Sequence, residues 1–160
     1  METARIVFKQ WKDLDISYAY QLWNDEKVVQ YIGIKSIDIE PRYYKEIEND
    51  QKYNVSYWPI FTQDNQFIGC CGLRPYQDNI YELGFHLLPQ YWHQGYGYEA
   101  AKAVIEYAFD EMKVKALIAG HHPENKASAN LLSKLGFKYI GDKYYEPTGL
   151  YHPSYEMKAL

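Results

Sequence analysis

The sequence has no apolar run approaching the length of a membrane span. Its opening Met1-Glu2-Thr3-Ala4-Arg5 leads into neither the apolar core nor the cleavage site of a secretory signal. It has only two cysteines, Cys70 and Cys71, and adjacent cysteines cannot staple distant segments. No further cysteine or carboxylate stands at ligand spacing from the histidines, so the reading includes no metal. Cations are not in surplus: 17 Lys and Arg against 21 Asp and Glu leave a net charge of −4. Such a chain gains little by releasing counterions from a phosphate backbone, which argues against a general nucleic-acid binder. Repeats, low-complexity tracts and linker-like stretches are also missing. These absences predict a reduced, cytoplasmic protein with no nucleic-acid and no membrane partner; both monomer and homodimer stay open.

What remains is a globular composition, 47% hydrophobic and 24% charged over 160 residues. Surface scaling gives about 8,400 Å² folded against about 27,500 Å² unfolded, so roughly 70% of the surface can be buried. One core is then stable without staples, and residues 1–160 are read as a single domain.

Residues 5–11 alternate through Ile6 and Phe8 towards a strand-ending Trp11, and Asp15 to Tyr31 carries helical spacing. Asp38-Ile39-Glu40-Pro41 reads as an N-cap with proline in the first turn of a second helix. Strands are predicted over Val55–Phe61, Gln66–Leu73 and Asn79–Leu88, the first two joined by the turn Gln63-Asp64-Asn65-Gln66. A helix over Gly97–Met112 places Ala100, Ala101, Val104, Ala108 and Met112 on one face. A buried strand, Lys115–His121, precedes a helix that Asn125 caps and Gly136 ends. Strands at Lys138–Asp142 and Tyr151–Lys158 close the chain. Hairpins followed by strand–helix–strand crossovers predict an α/β (α+β) fold, a mixed sheet covered by about four helices.

The most informative stretch is Leu88-Pro89-Gln90-Tyr91-Trp92-His93-Gln94-Gly95-Tyr96-Gly97-Tyr98-Glu99-Ala100. A strand ends, a loop follows, and two glycines stand where a helix begins. The first N–H groups of a helix lack intrahelical partners and carry partial positive charge, so such a loop can cradle a diphosphate. The alternative is plain helix capping. A dinucleotide fingerprint also fits Gly95 to Ala100, but it requires the strand to run straight into the first glycine, and Pro89 to Gln94 intervene. No Gly-Lys-Ser/Thr follows, which excludes a nucleoside-triphosphate P-loop.

Glu82-Leu83-Gly84-Phe85, the Pro89–Ala100 stretch, Asn125-Lys126-Ala127-Ser128 and Lys134-Leu135-Gly136-Phe137 occur in this order. Together they resemble the GNAT superfamily of acyl-CoA N-acyltransferases, and within it the ribosomal-protein N-acetyltransferase (RimJ/RimL-like) branch. The resemblance covers nearly the whole chain and implies a mostly antiparallel sheet splayed between two parallel strands. It implies acetyl-CoA as acyl donor, with its diphosphate on the backbone of His93, Gln94, Gly95, Tyr96, Gly97 and Tyr98. The pantetheine arm would pair with Phe85, His86, Leu87 and Leu88, and Asn125 and Ser128 would border the thioester. Trp92 stands where the superfamily usually has Arg or Gln, a departure shared with the branch.

Transfer to an amine needs a base, charge stabilisation on the thioester oxygen and a proton for the leaving thiolate. The resemblance makes Glu82 the first choice of base, directly or through water; the alternative is a solvated strand carboxylate. On a regular strand Glu82, Gly84 and His86 share a face. His86 is a second candidate base, and the resemblance puts an oxyanion donor at its backbone N–H. Ser128 is the best-matching proton donor, because the tyrosine many members carry four residues before the helix-ending glycine is Leu132 here; its alternative role is hydrogen bonding to backbone.

The remaining candidates are weaker. Glu146 and His152 are possible acceptor-site residues; His121 and His122 read as strand-end residues, and Cys70 and Cys71 as packing. Lys126 and Lys134 could meet the ribose phosphate, and Tyr18, Tyr43, Tyr44 and Tyr57 could line an acceptor pocket. The expected activity is direct acetyl transfer from acetyl-CoA to a primary amine, a protein N-terminus or a small molecule. The acidic balance steers mildly towards cationic acceptors. The rival reading is a non-catalytic acyl-CoA-binding module of the same fold.

Overall fold

Neighbouring residues in a strand face opposite sides of a sheet, and Cys70 and Cys71 mark the two layers here. Both are fully buried, Cys70 in a cluster with Trp11, Leu22, Trp23 and Phe61, Cys71 in one with Trp58, Ala101, Val104 and Leu117. A strand with apolar side chains on both faces is central and covered twice. The computed structural model, which describes residues 1–160, shows how.

The chain runs β1 (Ile6–Phe8), α1 (Ser17–Trp23), α2 (Glu26–Val29), α3 (Ile39–Tyr53), β2 (Tyr57–Thr62), β3 (Phe67–Gln77) and β4 (Ile80–Leu87). It continues through α4 (Tyr96–Glu106), β5 (Ala116–Gly120), α5 (Lys126–Leu135), β6 (Lys138–Tyr145) and β7 (Leu150–Lys158). The seven strands form one mixed sheet in the order β1-β2-β3-β4-β5-β7-β6, antiparallel except for β4 and β5. Ala100, Ala101 and Val104, fully buried, seat α4 on the sheet; Ala108, in the π-helical turn that follows, is also fully buried, and Met112 is only partly covered. The second core is built mainly by α1 to α3 on the other face.

The feature that makes a site is the parallel pair. Ile80, Tyr81 and Glu82 pair with Ala116, Leu117 and Ile118, and the pairing stops there. Beyond Glu82, β4 pairs only with β3 and β5 only with β7. The two strands splay, and a gap opens through the sheet.

Several element boundaries differ from the sequence reading. The expected Asp15–Tyr31 helix is two helices, because the Asp25 carboxylate accepts from the N–H groups of Lys27 and Val28 and starts a new one; the helices number five. Trp11 lies in a 3-10 turn after a shorter first strand, its indole donating to the Tyr57 carbonyl at 2.6 Å. Asp38 does not cap α3 with its side chain; it reaches back to accept from the Lys35 N–H. β3 runs on to Gln77 past a bulge near Pro75, since β4 offers it a partner that far.

Candidate functional site

A cavity of about 900 Å³ passes through the splay. One end lies at the start of α4 and α5; the other lies beneath α1 to α3 on the opposite face.

The α4 end is built from backbone. His93 and Gly95 both have positive φ, +59° and +82°, and turn the chain sharply into the helix. Gly95 is the N-cap, and the first helical bond is that from the Glu99 N–H to its carbonyl. The six N–H groups from His93 to Tyr98 have no hydrogen-bond partner in the protein. Such a row at a helix N-terminus is an anion nest. A Cβ on Gly97 would sit 3.3 Å from Leu131 and 3.5 Å from Leu87, so a larger residue would crowd the wall of the cavity. Trp92 donates from its indole to the Leu87 carbonyl at 2.8 Å and ties the loop to the end of β4. Lys126 and Lys134 line this end.

Between the two ends lies the exposed edge of β4. The Leu88 N–H donates to Ile68 of β3, and strand alternation turns the main-chain groups of His86 the same way. Phe85 and Leu87 therefore face the gap with theirs. This corrects the expectation for the His86 N–H, whose side is decided by the regular β3–β4 register. Asn125 caps α5, its Oδ1 accepting from the Ser128 N–H at 3.1 Å, while the Ser128 hydroxyl is free of hydrogen bonds and lines the cavity. Leu132 is fully buried in the core, and it is Leu131 that lines the cavity beside Ser128. An i, i+3 pair shares a helix face, and i, i+4 at this site turns inward.

On the far face Glu82, Gly84 and His86 point the same way, as predicted, and all three line the cavity. Tyr57 donates to Glu82 Oε1 at 2.8 Å. Its ring fits only because Gly84 has no side chain: a Cβ there would lie 2.3 Å from the Tyr57 Cζ. Burial first, then the Glu82 charge, holds the Tyr57 pKa well above its ordinary value, so the phenol keeps its proton. His86 accepts at Nδ1 from the Trp23 indole, and burial with the charges of Arg42 and Arg74 pushes its pKa well down. Its ring is a neutral hydrogen-bond donor through Nε2.

Of the other candidates, Tyr57 and His152 line the cavity and Glu146 does not. Tyr18 packs on Phe61 and Phe67, Tyr43 is buried and bonded to the Trp11 and Leu14 carbonyls, and Tyr44 is exposed. His121 is buried at the end of β5, with its Nε2 3.1 Å from the Tyr155 hydroxyl, and His122 lines the cavity. Three residues escaped the sequence reading: Arg42, Glu46 and Arg74. Glu46 is fully buried, and a charged residue on the apolar face of α3, three after Tyr43, was the available signal.

Residues 5–138 match the acetyltransferase (GNAT) domain family. The chain is 29% identical to the uncharacterized N-acetyltransferase YnaD of Bacillus subtilis, over 87% of this chain and 82% of that one. The fold is similar to a crystal structure of a GNAT-family acetyltransferase from Bacillus anthracis, with a TM-score of 0.81, 24% identity and coverage of 99% and 97% of the two chains. It is also similar to spermidine N-acetyltransferase from Vibrio cholerae in complex with CoA and spermine, with a TM-score of 0.79, 14% identity and coverage of 98% and 96%.

Proposed function

Since this chain belongs to the GNAT acetyltransferase family and is an acyltransferase, we propose that it transfers an acetyl group directly from acetyl-CoA to a primary amine, in a single domain spanning residues 1–160. The observation that carries this reading is the row of six unpartnered N–H groups at one mouth of a cavity whose other mouth holds Glu82. A diphosphate satisfies that row, and the open edge of β4 at Phe85 and Leu87 suits an extended arm with amides of its own. The Asn125 side chain, with its NH₂ unused in capping, flanks that arm.

The coenzyme supplies an acetyl thioester. Glu82 takes the proton that the amine nitrogen loses as its bond to the acetyl carbon forms, directly or through one water. The amides facing the gap donate towards the thioester oxygen. As the C–S bond breaks, the sulfur takes a proton through the Ser128 hydroxyl, which water reprotonates as it gives its own proton up. His86 is passed over as base because its Nδ1 is occupied and its surroundings oppose a positive ring. Trp92 and Ser128 support the RimJ/RimL-like branch, which acetylates protein N-termini as well as small amines. Two buried free cysteines suit a reducing cytoplasm.

Thermal melting with excess acetyl-CoA tests the donor, with NADH as control. Ligand at 100 times its dissociation constant adds about 2.7 kcal/mol, very roughly 5–10 °C at this size. Glu82→Gln should lower turnover by about 10²–10⁴-fold while leaving acetyl-CoA affinity nearly unchanged. Unchanged turnover would remove Glu82 from the mechanism.

A further inference from the structure

The end of the cavity beneath α1 to α3 holds a cation that the protein leaves unpaired. Arg42 and Glu46 come from α3 and Arg74 from β3, and both arginines line the cavity. Glu46 has no acceptor capacity to spare. Its Oε1 accepts from the Arg74 guanidinium at 2.8 and 3.3 Å; its Oε2 accepts from the Ser56 hydroxyl at 2.9 Å and the Tyr57 N–H at 2.7 Å. Arg42, one helical turn before Glu46, makes no ion pair and no hydrogen bond, and its Nε is sealed from solvent without an acceptor. Its guanidinium lies 5.0 Å from the centre of the Trp23 ring, the same indole that holds His86.

A guanidinium does not lose its proton in proteins, so a sheltered one is costly unless a ligand supplies an anion. Burial, then repulsion from Arg74, pushes the Arg42 pKa below its ordinary value. Burial also works against the charge on Arg74, but Arg74 has the Glu46 carboxylate as a direct partner at 2.8 Å. Arg42 is therefore the uncompensated member. Glu82 makes no ion pair with Arg42; its hydrogen bond is to Tyr57.

We propose that the acceptor is a small zwitterion, an amino acid or close analogue, whose amine meets Glu82 and whose carboxylate is held by Arg42 with Arg74 behind it. This rests on the acetyl-transfer reading of the same cavity. A planar fork suits a carboxylate, which can take two of its N–H groups at once. A polyamine would set a second ammonium against Arg42. A protein N-terminus has its own carboxyl locked in an amide. The chain's net charge of −4 favours cations at long range, but a charge inside a low-dielectric cavity is screened far less and decides at contact.

The test uses the full chain with acetyl-CoA and matched acceptors: free amino acids, their amides, the decarboxylated amines, aminophosphonates, a polyamine and a neutral tripeptide. Acetylated product is read by mass spectrometry and donor binding by melting. The expected result is a kcat/KM at least tenfold higher for an amino acid than for its amide. Arg42→Met should collapse that ratio towards one through a higher KM for the amino acid, and Arg42→Lys should restore part of it. Acetyl-CoA affinity and melting of both variants identify any folding defect, and calorimetry of the amino acid on the CoA-bound wild type gives the same preference without turnover. Equal or better use of the amide, polyamine or peptide overturns the inference, as does acetyl-CoA binding with no amino acid bound or acetylated. Preference for the phosphonate overturns the carboxylate assignment. A failure of acetyl-CoA to bind at all overturns the donor reading instead.

Discussion

The indole Nε1 of Trp23 donates to Nδ1 of His86 across 3.1 Å, and the Cys70 sulfur stands 3.7 Å from the same nitrogen. The bond leaves the ring proton on Nε2 and the imidazole neutral. Burial, then Arg42 and Arg74, keeps its pKa well below the ordinary 6.5. The unfolded chain gains a proton below about pH 6.5 and the folded one does not, so stability falls as pH drops through that range. The loss stops only below the folded pKa. One such group contributes up to about 1.4 kcal/mol per pH unit. His152, lowered by burial and then by His122 and His121, acts in the same window. Urea melts at pH 7.5 and 5.5 should show lower stability at the acid end and a smaller difference in His86→Gln. An equal difference in the variant would mean that His86 titrates normally.

Gly84 is the residue on which the placement of Tyr57 depends. Alanine there would put a Cβ 2.3 Å from Cζ and 2.6 Å from the hydroxyl of Tyr57, and the ring must move off Glu82. Overpacking of this kind costs about 1–3 kcal/mol. Gly84→Ala should lower the melting point and cut kcat about tenfold or more, with acetyl-CoA affinity preserved because the cradle lies on the other side of the sheet. A kcat like that of wild type would show that Tyr57 does not position Glu82. Tyr57→Phe, which keeps the ring and loses the donor, should reproduce the loss of kcat with less loss of stability.

The backbone nest at the start of α4 was legible because it is local: two glycines, a helix start and a strand end are consecutive in the chain. The face shared by Glu82 and His86 was legible for the same reason, since alternation within one strand fixes it. The break at Asp25 was missed because helical spacing continues across it and only the cap distinguishes two helices from one. Arg42 and Glu46 stand four apart on α3, a spacing that reads as a surface ion pair. Arg74, distant in sequence, takes the carboxylate instead. Only tertiary contact reveals which cation is left over, and no periodicity contains that information. Leu132 shows the same limit, since its core position follows from how α5 rolls against the sheet.

Arg5 bolts the cradle from outside. Its Nε donates to Glu99 at 2.8 Å, its backbone N–H to the same carboxylate at 3.0 Å, and its NH1 to the Gln94 carbonyl at 3.0 Å, while the guanidinium lies 4.1 Å from the Tyr96 ring centre. Burial would raise the Glu99 pKa, but bonds from Thr3 and Arg5 outweigh it and hold the carboxyl below its usual range. Arg5→Ala should weaken acetyl-CoA binding about tenfold, measured by calorimetry, with only a small fall in melting point because the pair is partly solvated. Gly95→Val, at a φ of +82°, should abolish measurable binding. Normal affinity in the valine variant, with its fold shown intact by circular dichroism, would reduce the loop to a helix cap.

Ser128 has its N–H fixed by Asn125 and its hydroxyl unbonded beside the cavity. A first-turn serine usually turns its hydroxyl to nearby backbone, and this one does not. If it protonates the departing sulfur, Ser128→Ala should lower kcat about tenfold and leave the acetyl-CoA dissociation constant within twofold, because the alanine removes an O–H and no packing. The loss should narrow as pH falls, because solvent then protonates the sulfur more readily and the scarcity of neutral amine limits the rate instead. Unchanged kcat at every pH would mean that the sulfur takes its proton from solvent. A thiol of ordinary pKa near 8.5 is a good enough leaving group for that route.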